Sequence, residues 1–167
     1  MIESLGQTEI KTEVISIDTG YNVIIGRSHF IKTVEDIYEA IVNTNPKGKF
    51  GLAFCEASAD RLVRFEGNDE KLVNLAVEMA RKVNAGHYFF LVLDGMYPIN
   101  ILNALKQVRE VCSIECASQN PLHVIVGETS LGRTILGIVD GQPTVGVEDE
   151  TKKKERHEFL RKIGYKF

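Results

Sequence analysis

Long apolar runs, clustered cysteine and familiar nucleotide-binding loops are what this 167-residue sequence has least of, and each scarcity excludes a class of protein. The longest apolar stretch, Tyr88 to Leu93, falls far short of the roughly 20 residues that cross a bilayer as a helix. Acidic and basic residues follow Met1-Ile2-Glu3-Ser4 within the first dozen positions, where a secretory signal carries an apolar core. The expected location is therefore the cytoplasm, with no membrane partner. Three cysteines, an odd number, without Cys-x-x-Cys spacing, argue against a disulfide framework or a zinc site. Cys55 sits in an apolar run; Cys112 and Cys116, four apart in an expected strand, should share one face as small buried residues.

Chemical signatures are equally scarce. Neither a Gly-x-x-x-x-Gly-Lys-Ser/Thr loop nor a Gly-x-Gly-x-x-Gly turn after a strand occurs, so P-loop and Rossmann readings find no support. No His-Glu-x-x-His helix or dense ligand cluster points to a resident metal, and a divalent ion taking part would arrive with phosphate groups. Charge of one sign is lacking too. Lys and Arg number 20 against 23 Asp and Glu, a net charge of -3 that offers no basic field to nucleic acid. The one basic run, Lys152-Lys153-Lys154, continues into Glu155, Arg156, His157 and Glu158, the mixed pattern of a solvated helical face.

What is present is an ordinary globular composition, 44% hydrophobic and 26% charged, without repeats or linkers. One domain spanning residues 1–167 is expected. Glu9 to Ile17 and Asn22 to Ile25 read as strands of a hairpin around Asp18-Thr19-Gly20. Thr33 offers a cap to a helix reaching about Asn43, and Phe50 to Cys55 with Arg61 to Phe65 reads as a second hairpin. Leu72, Leu75, Ala76, Met79, Ala80 and Val83 repeat at helical spacing behind Asp69 and Glu70. Tyr88 to Leu93 is a buried strand, and Pro98 fits the first turn of a helix to about Arg109. Val111 to Cys116, His123 to Val126 and Thr134 to Val139 form three further strands, and a charged helix from about Thr151 to Lys162 ends the pattern. The fold class is α/β, in the α+β sense: a mixed, partly antiparallel sheet with about four helices packed on it.

Four histidines are the candidates for nucleophilic or acid–base work. His87 is placed best, between Gly86 and a strand, where a neutral imidazole can attack phosphorus or take a proton; a backbone-bonded structural histidine is the alternative. His29 stands at a strand end, while His123 and His157 read as structural or solvated. Glu56 ends an apolar strand ahead of Ala57 and Ser58, whose small side chains leave room for a ligand. Asp94-Gly95 ahead of Pro98 could put an anion at a helix N-terminus, or simply turn the chain. The loop from Gly127 to Thr134 combines glycine, hydroxyls and the Arg133 guanidinium, which suits phosphate and equally suits a hairpin turn. The Asn120 amide could read a purine edge or start a turn.

Taken together, Asn22 to Gly26, His29-Phe30, Phe50 to Ser58, Gly86-His87, Asn120-Pro121, Gly132-Arg133 and Ile138 to Gly141 resemble the adenosine-specific kinase family, in an order covering nearly the whole chain. Cys116 to Asn120 reads Cys-Ala-Ser-Gln-Asn, with Gln119 where the family's form has a small residue. The resemblance implies a compact subunit of a homo-oligomer, a hexamer, with an interface cavity for adenosine or an adenine nucleotide. It implies that His87 carries a phosphoryl group and passes it to the 5′-hydroxyl of adenosine, with a donor such as ATP with magnesium and no tightly bound cofactor. Glu56 would orient His87 as its catalytic partner; Ser58, Asn120 and Arg133 would bind substrate. The competing reading is a non-catalytic or regulatory adenine-nucleotide-binding module.

Overall fold

The apolar run at the middle of the chain becomes the central strand of a five-stranded sheet, because both of its faces are covered. The computed structural model describes residues 9–167; Met1, Ile2, Glu3 and Ser4 lie outside the described residues. In chain order the elements are β1 (Lys11–Ile17), β2 (Asn22–Ser28), α1 (Thr33–Thr44), β3 (Lys49–Cys55), β4 (Val63–Gly67), α2 (Glu70–Val83) and β5 (Tyr88–Asp94). They continue with α3 (Pro98–Gln107), β6 (Val111–Ser118), β7 (Leu122–Glu128), β8 (Arg133–Asp140) and α4 (Glu150–Lys162). The large sheet has the order β4-β3-β5-β2-β6, and a second sheet of three strands has the order β1-β7-β8.

Strand alternation divides the core in two. Tyr88, Phe90 and Val92 of β5 point toward α2 and the three-stranded sheet, in a cluster with Val23, Ala53, Met79, Ile15 and Val124. Phe89, Leu91 and Leu93 point the other way, to α1 and α3, and pack with Phe54, Ile37 and Ile101. Gly51 lets α2 lie directly on β3: a Cβ there would come within 2.1 Å of the Leu72–Val73 backbone. Asp69 caps α2 by accepting the Leu72 N–H at 3.2 Å, and Asn84 ends it in the left-handed conformation. Pro98 opens α3 as expected. Thr33 lies in the first turn of α1 instead of capping it, its hydroxyl donating to the Phe30 carbonyl at 2.6 Å.

The α/β class with four helices is realised, and the β3–β4 hairpin pairs from Gly51 with Gly67 to Cys55 with Val63. Two expectations are corrected. The sheet is not mixed: among the described residues all the strand pairings are antiparallel and they fall into two sheets. Helical crossovers do join mutually parallel strands, but an antiparallel strand lies between each such pair. β5 separates β2 from β3, β3 separates β4 from β5, and β2 separates β5 from β6. Nor do β1 and β2 form a hairpin. β2 is buried on both faces and needs β5 and β6 beside it, whereas β1 alternates and pairs with β7 in the covering sheet.

Cys55 and Cys116 are buried, but Cys112 is exposed. β6 shifts register against β2 between Ile25 and Gly26 and again between Arg27 and Ser28, leaving Cys112 without an opposite residue. Those bulges undo the period-two relation that would have put Cys112 on the same face as Cys116.

Candidate functional site

His87 is fixed by its backbone before its ring is considered. Its N–H donates to the Cys55 carbonyl at 2.7 Å, and its own carbonyl accepts from Ser28 N–H at 2.8 Å. The residue thereby ties the end of β3 to the end of β2 at the mouth of β5. Its φ is +63°, a left-handed conformation uncommon outside glycine, and the surrounding hydrogen bonds hold it there. Gly86 precedes it because the chain passes close to Ala57: a Cβ would sit 2.9 Å from the Ala57 Cβ. The half-buried imidazole stacks parallel on Phe54, with ring centroids 5.9 Å apart and planes 5° apart. Among the described residues its ring nitrogens make no hydrogen bond.

Glu56 follows Phe54 by two residues, and its carboxylate is taken by Arg64 of β4. Arg64 donates from Nε at 2.8 Å and from Nη2 at 2.6 Å, both to Oε2. Phe54 and Arg64 are directly opposed across the hairpin, so the guanidinium needs only a diagonal reach. The expected hydrogen bond from His87 to Glu56 is therefore not made; the strand-borne cation competes successfully for that carboxylate. Arg64 escaped the sequence reading. Its signal is a lone cation between Val63 and Phe65, ten residues beyond Phe54 across a hairpin whose register only the structure sets.

On the other side of the β3 end opens a cleft of about 790 Å³, lined among others by Glu56, Ala57, Arg61, Gly86, Thr129 and Arg133. The β3–β4 and α2–β5 connections form one wall and the β7–β8 hairpin the other. Arg133 enters the cleft with its charge already matched: it pairs with Glu13, and its Nε lies 3.4 Å from Glu128. Among the described residues that buried Nε finds no hydrogen-bond acceptor. His87 does not line the cleft, although its neighbour Gly86 does.

The remaining candidates lie apart. Ser58 is exposed in the β3–β4 turn, where its carbonyl accepts from Arg61 N–H at 3.0 Å. Asn120 belongs to a separate polar cluster: its amide donates to Asp140 at 2.9 Å, and Ser118 donates to the same Asp140 oxygen at 2.6 Å. β7 and β8 pair from Leu122 with Asp140 to Glu128 with Arg133. At about 3.3 Å per residue, the Asn120 cluster and Arg133 stand about 20 Å apart at opposite ends of that ladder. The structure thus brings Glu56 and Arg133 to one cleft and His87 to its margin, and leaves Asn120 elsewhere on the same protomer. Asp140 was legible only as part of the Ile138-Val-Asp-Gly141 motif.

The two buried thiols are poor nucleophiles at neutral pH. Burial pushes Cys55 up to about 11, and burial followed by the nearby Asp140 carboxylate pushes Cys116 up to about 11. Among the described residues no three or more His, Cys, Asp or Glu gather where they could hold a metal.

Residues 14–166 match the family described as Adenosine specific kinase. The crystal structure of PH1918 protein from Pyrococcus horikoshii OT3 is similar to this one at a TM-score of 0.91, with 44% sequence identity over 95% of this chain and 99% of that chain. No curated protein matches the sequence. A match over nearly the whole chain, together with a shared fold at this identity, settles the relationship: the chain belongs to the adenosine specific kinase family.

Proposed function

We propose that the protein is an adenosine-binding phosphotransferase that works through a phosphohistidine at His87. The observation that carries this reading is the imidazole itself, held by two backbone hydrogen bonds in a strained conformation, its ring nitrogens without a hydrogen bond among the described residues. Strain of this kind persists where the surroundings over-determine it and gathers at functional sites. A neutral ring nitrogen attacks the donor's terminal phosphorus, a nitrogen–phosphorus bond forms, and the donor's phosphorus–oxygen bond breaks with the electron pair leaving on oxygen. The adenosine 5′-oxygen then attacks that phosphorus, the nitrogen–phosphorus bond breaks, and the imidazole recovers its lone pair. Glu56 Oε1, the oxygen that Arg64 does not bond, takes the hydroxyl proton.

Little covalent work is asked of the protein in such a reaction; positioning and charge neutralisation supply most of the rate. Arg64 supports the phosphoryl group beside His87, and Arg133 binds phosphate oxygens in the cleft once they displace its carboxylate partners. The donor is a phosphorylated compound such as ATP, carried with magnesium. Ser58 and Asn120 bind substrate in a homo-oligomer, a hexamer, in which the Asn120 cluster of one subunit approaches the cleft of another. The separation of about 20 Å along the β7–β8 ladder supports that arrangement, because a single protomer does not present both ends to one nucleoside.

The same separation favours a second reading, a non-catalytic adenine-nucleotide module. Intact-mass spectrometry of the full-length protein after incubation with ATP and magnesium, with AMP formation from adenosine followed in parallel, distinguishes them. An acid-labile phosphoryl adduct mapped to His87, absent from His87→Asn, together with AMP production, is the expected result. Adenosine binding without adduct or AMP would overturn the phosphotransferase reading.

A further inference from the structure

Among the described residues four charged side chains line the cleft, and three of them are already engaged. Glu56 is held by Arg64, Asp60 lies 3.7 Å from the same guanidinium, and Arg133 pairs with Glu13. The fourth, Arg61, makes no ion pair and no side-chain hydrogen bond among the described residues. An arginine presents its donors in a planar fork that matches a carboxylate or a phosphate. At this cleft the fork meets neither.

The backbone of Arg61 is as unusual as its side chain. Its φ is +51°, and Ala59, two residues earlier in the same connection, has φ +49°. Asn84, also at φ +49°, has an ordinary cause because it ends α2, whereas Arg61 ends no helix. The Arg61 N–H donates to the Ser58 carbonyl at 3.0 Å, and the carbonyl of the next residue, Leu62, accepts from Glu56 N–H at 3.1 Å, so the hairpin connection holds the strained residue in place. Glycine would occupy such a position without penalty. A bulky cation there, with its guanidinium uncommitted, points to a use of the side chain that the fold itself does not supply.

The rest of the cleft indicates that use. Ile10, Leu131 and Leu136 are exposed along it and offer apolar surface, and its volume of about 790 Å³ suits a ligand of nucleotide size. Apolar walls beside one free guanidinium fit a molecule with a flat, weakly polar body and one anionic group. Inorganic phosphate would leave the walls unused, and a bare nucleoside would leave the cation unused.

We propose that Arg61 is a specificity-determining residue that reads the phosphate of a nucleoside monophosphate: base and ribose lie on the apolar wall, and the guanidinium bonds two phosphate oxygens. Arg133 joins that contact only by giving up Glu13, so Arg61 makes the larger contribution. The inference rests on the adenosine-binding part of the reading above and is independent of a phosphohistidine.

Calorimetric titration of the full-length protein with AMP and with adenosine, without a phosphoryl donor, tests it on wild type, Arg61→Gly and Arg61→Asn. Both substitutions suit the left-handed backbone. Each variant should bind AMP at least about tenfold more weakly than wild type, as the loss of a charged hydrogen-bonding partner requires. Each should bind adenosine as wild type does, and melt at or above the wild-type temperature. AMP affinity equal in all three proteins would overturn the assignment and leave adenosine binding standing. An equal loss for AMP and adenosine would overturn it too, since the arginine would then shape the cleft instead of reading a phosphate. A wild type that binds neither ligand would remove the adenosine reading and this one together.

Discussion

Arg64 places two donors, Nε at 2.8 Å and Nη2 at 2.6 Å, on one oxygen of Glu56, whose side chain is only 10% exposed. The carboxylate at the end of β3 is therefore neutralised from the neighbouring strand through one oxygen, and Arg64 leaves the other unbonded. Removing the cation leaves a largely buried charge without its partner. Arg64→Ala should lower stability by about 1–3 kcal/mol in chemical denaturation, and Arg64→Lys should restore only part of it, because an ammonium does not reproduce the two-pronged contact. An Arg64→Ala protein as stable as wild type would show that water replaces the guanidinium without cost.

His87 separates conformation from chemistry. Asparagine tolerates the left-handed region better than most residues, so His87→Asn should keep the melting temperature within a few degrees of wild type and abolish the phosphoryl adduct. His87→Val, β-branched at φ +63°, should lose stability as well as the adduct. Calorimetry beside intact-mass measurement reads both quantities on the same samples.

The cysteines differ in exposure, not in number. Under native conditions a small alkylating reagent at neutral pH should add to Cys112 alone, since Cys55 and Cys116 are buried and pushed up to about 11. Peptide mapping that finds Cys116 modified as fast as Cys112 would contradict the packing of β6 against β8.

Asp69 links α2 to pH. The Leu72 N–H, and then Lys49, hold its carboxyl below the ordinary value of 3.8. A carboxylate whose folded pKa is depressed contributes stability that is complete above the unfolded value and is lost as pH falls through the folded one. Wild type should thus lose stability below about pH 4 more steeply than Asp69→Asn, in which the side chain still caps but does not titrate. Parallel unfolding curves for the two proteins between neutral and acid pH would show that Asp69 contributes nothing to the acid limb.

Much of the fold was legible before any coordinates. Periodicity from Leu72 to Val83 behind Asp69 and Glu70 marked α2, the apolar run marked β5 as buried, and Pro98 located α3. Pairing was legible for the β3–β4 hairpin but not across the rest of the large sheet. Winding strands through helices permits either parallel neighbours or an antiparallel strand inserted between them, and the choice rests on which faces must be buried. The residue types of the site were visible too: a histidine after glycine, a glutamate after an apolar strand, an arginine in a glycine-bounded loop. Their partners were not, because Glu56 meets Arg64 through hairpin register and Arg133 meets Glu13 across 120 residues.

The sequence by itself determined the element types, the apolar stripes that form two core clusters, and the membership of the family, since those follow from local propensity and from the order of short motifs. Only the tertiary structure decided that the strands divide into two antiparallel sheets, that Glu56 pairs with Arg64 and not His87, and that Asn120 lies a full strand-length from Arg133. Each of those depends on register, and a shift of a single residue, as at the bulges of β6, turns a side chain to the other face without changing a local signal.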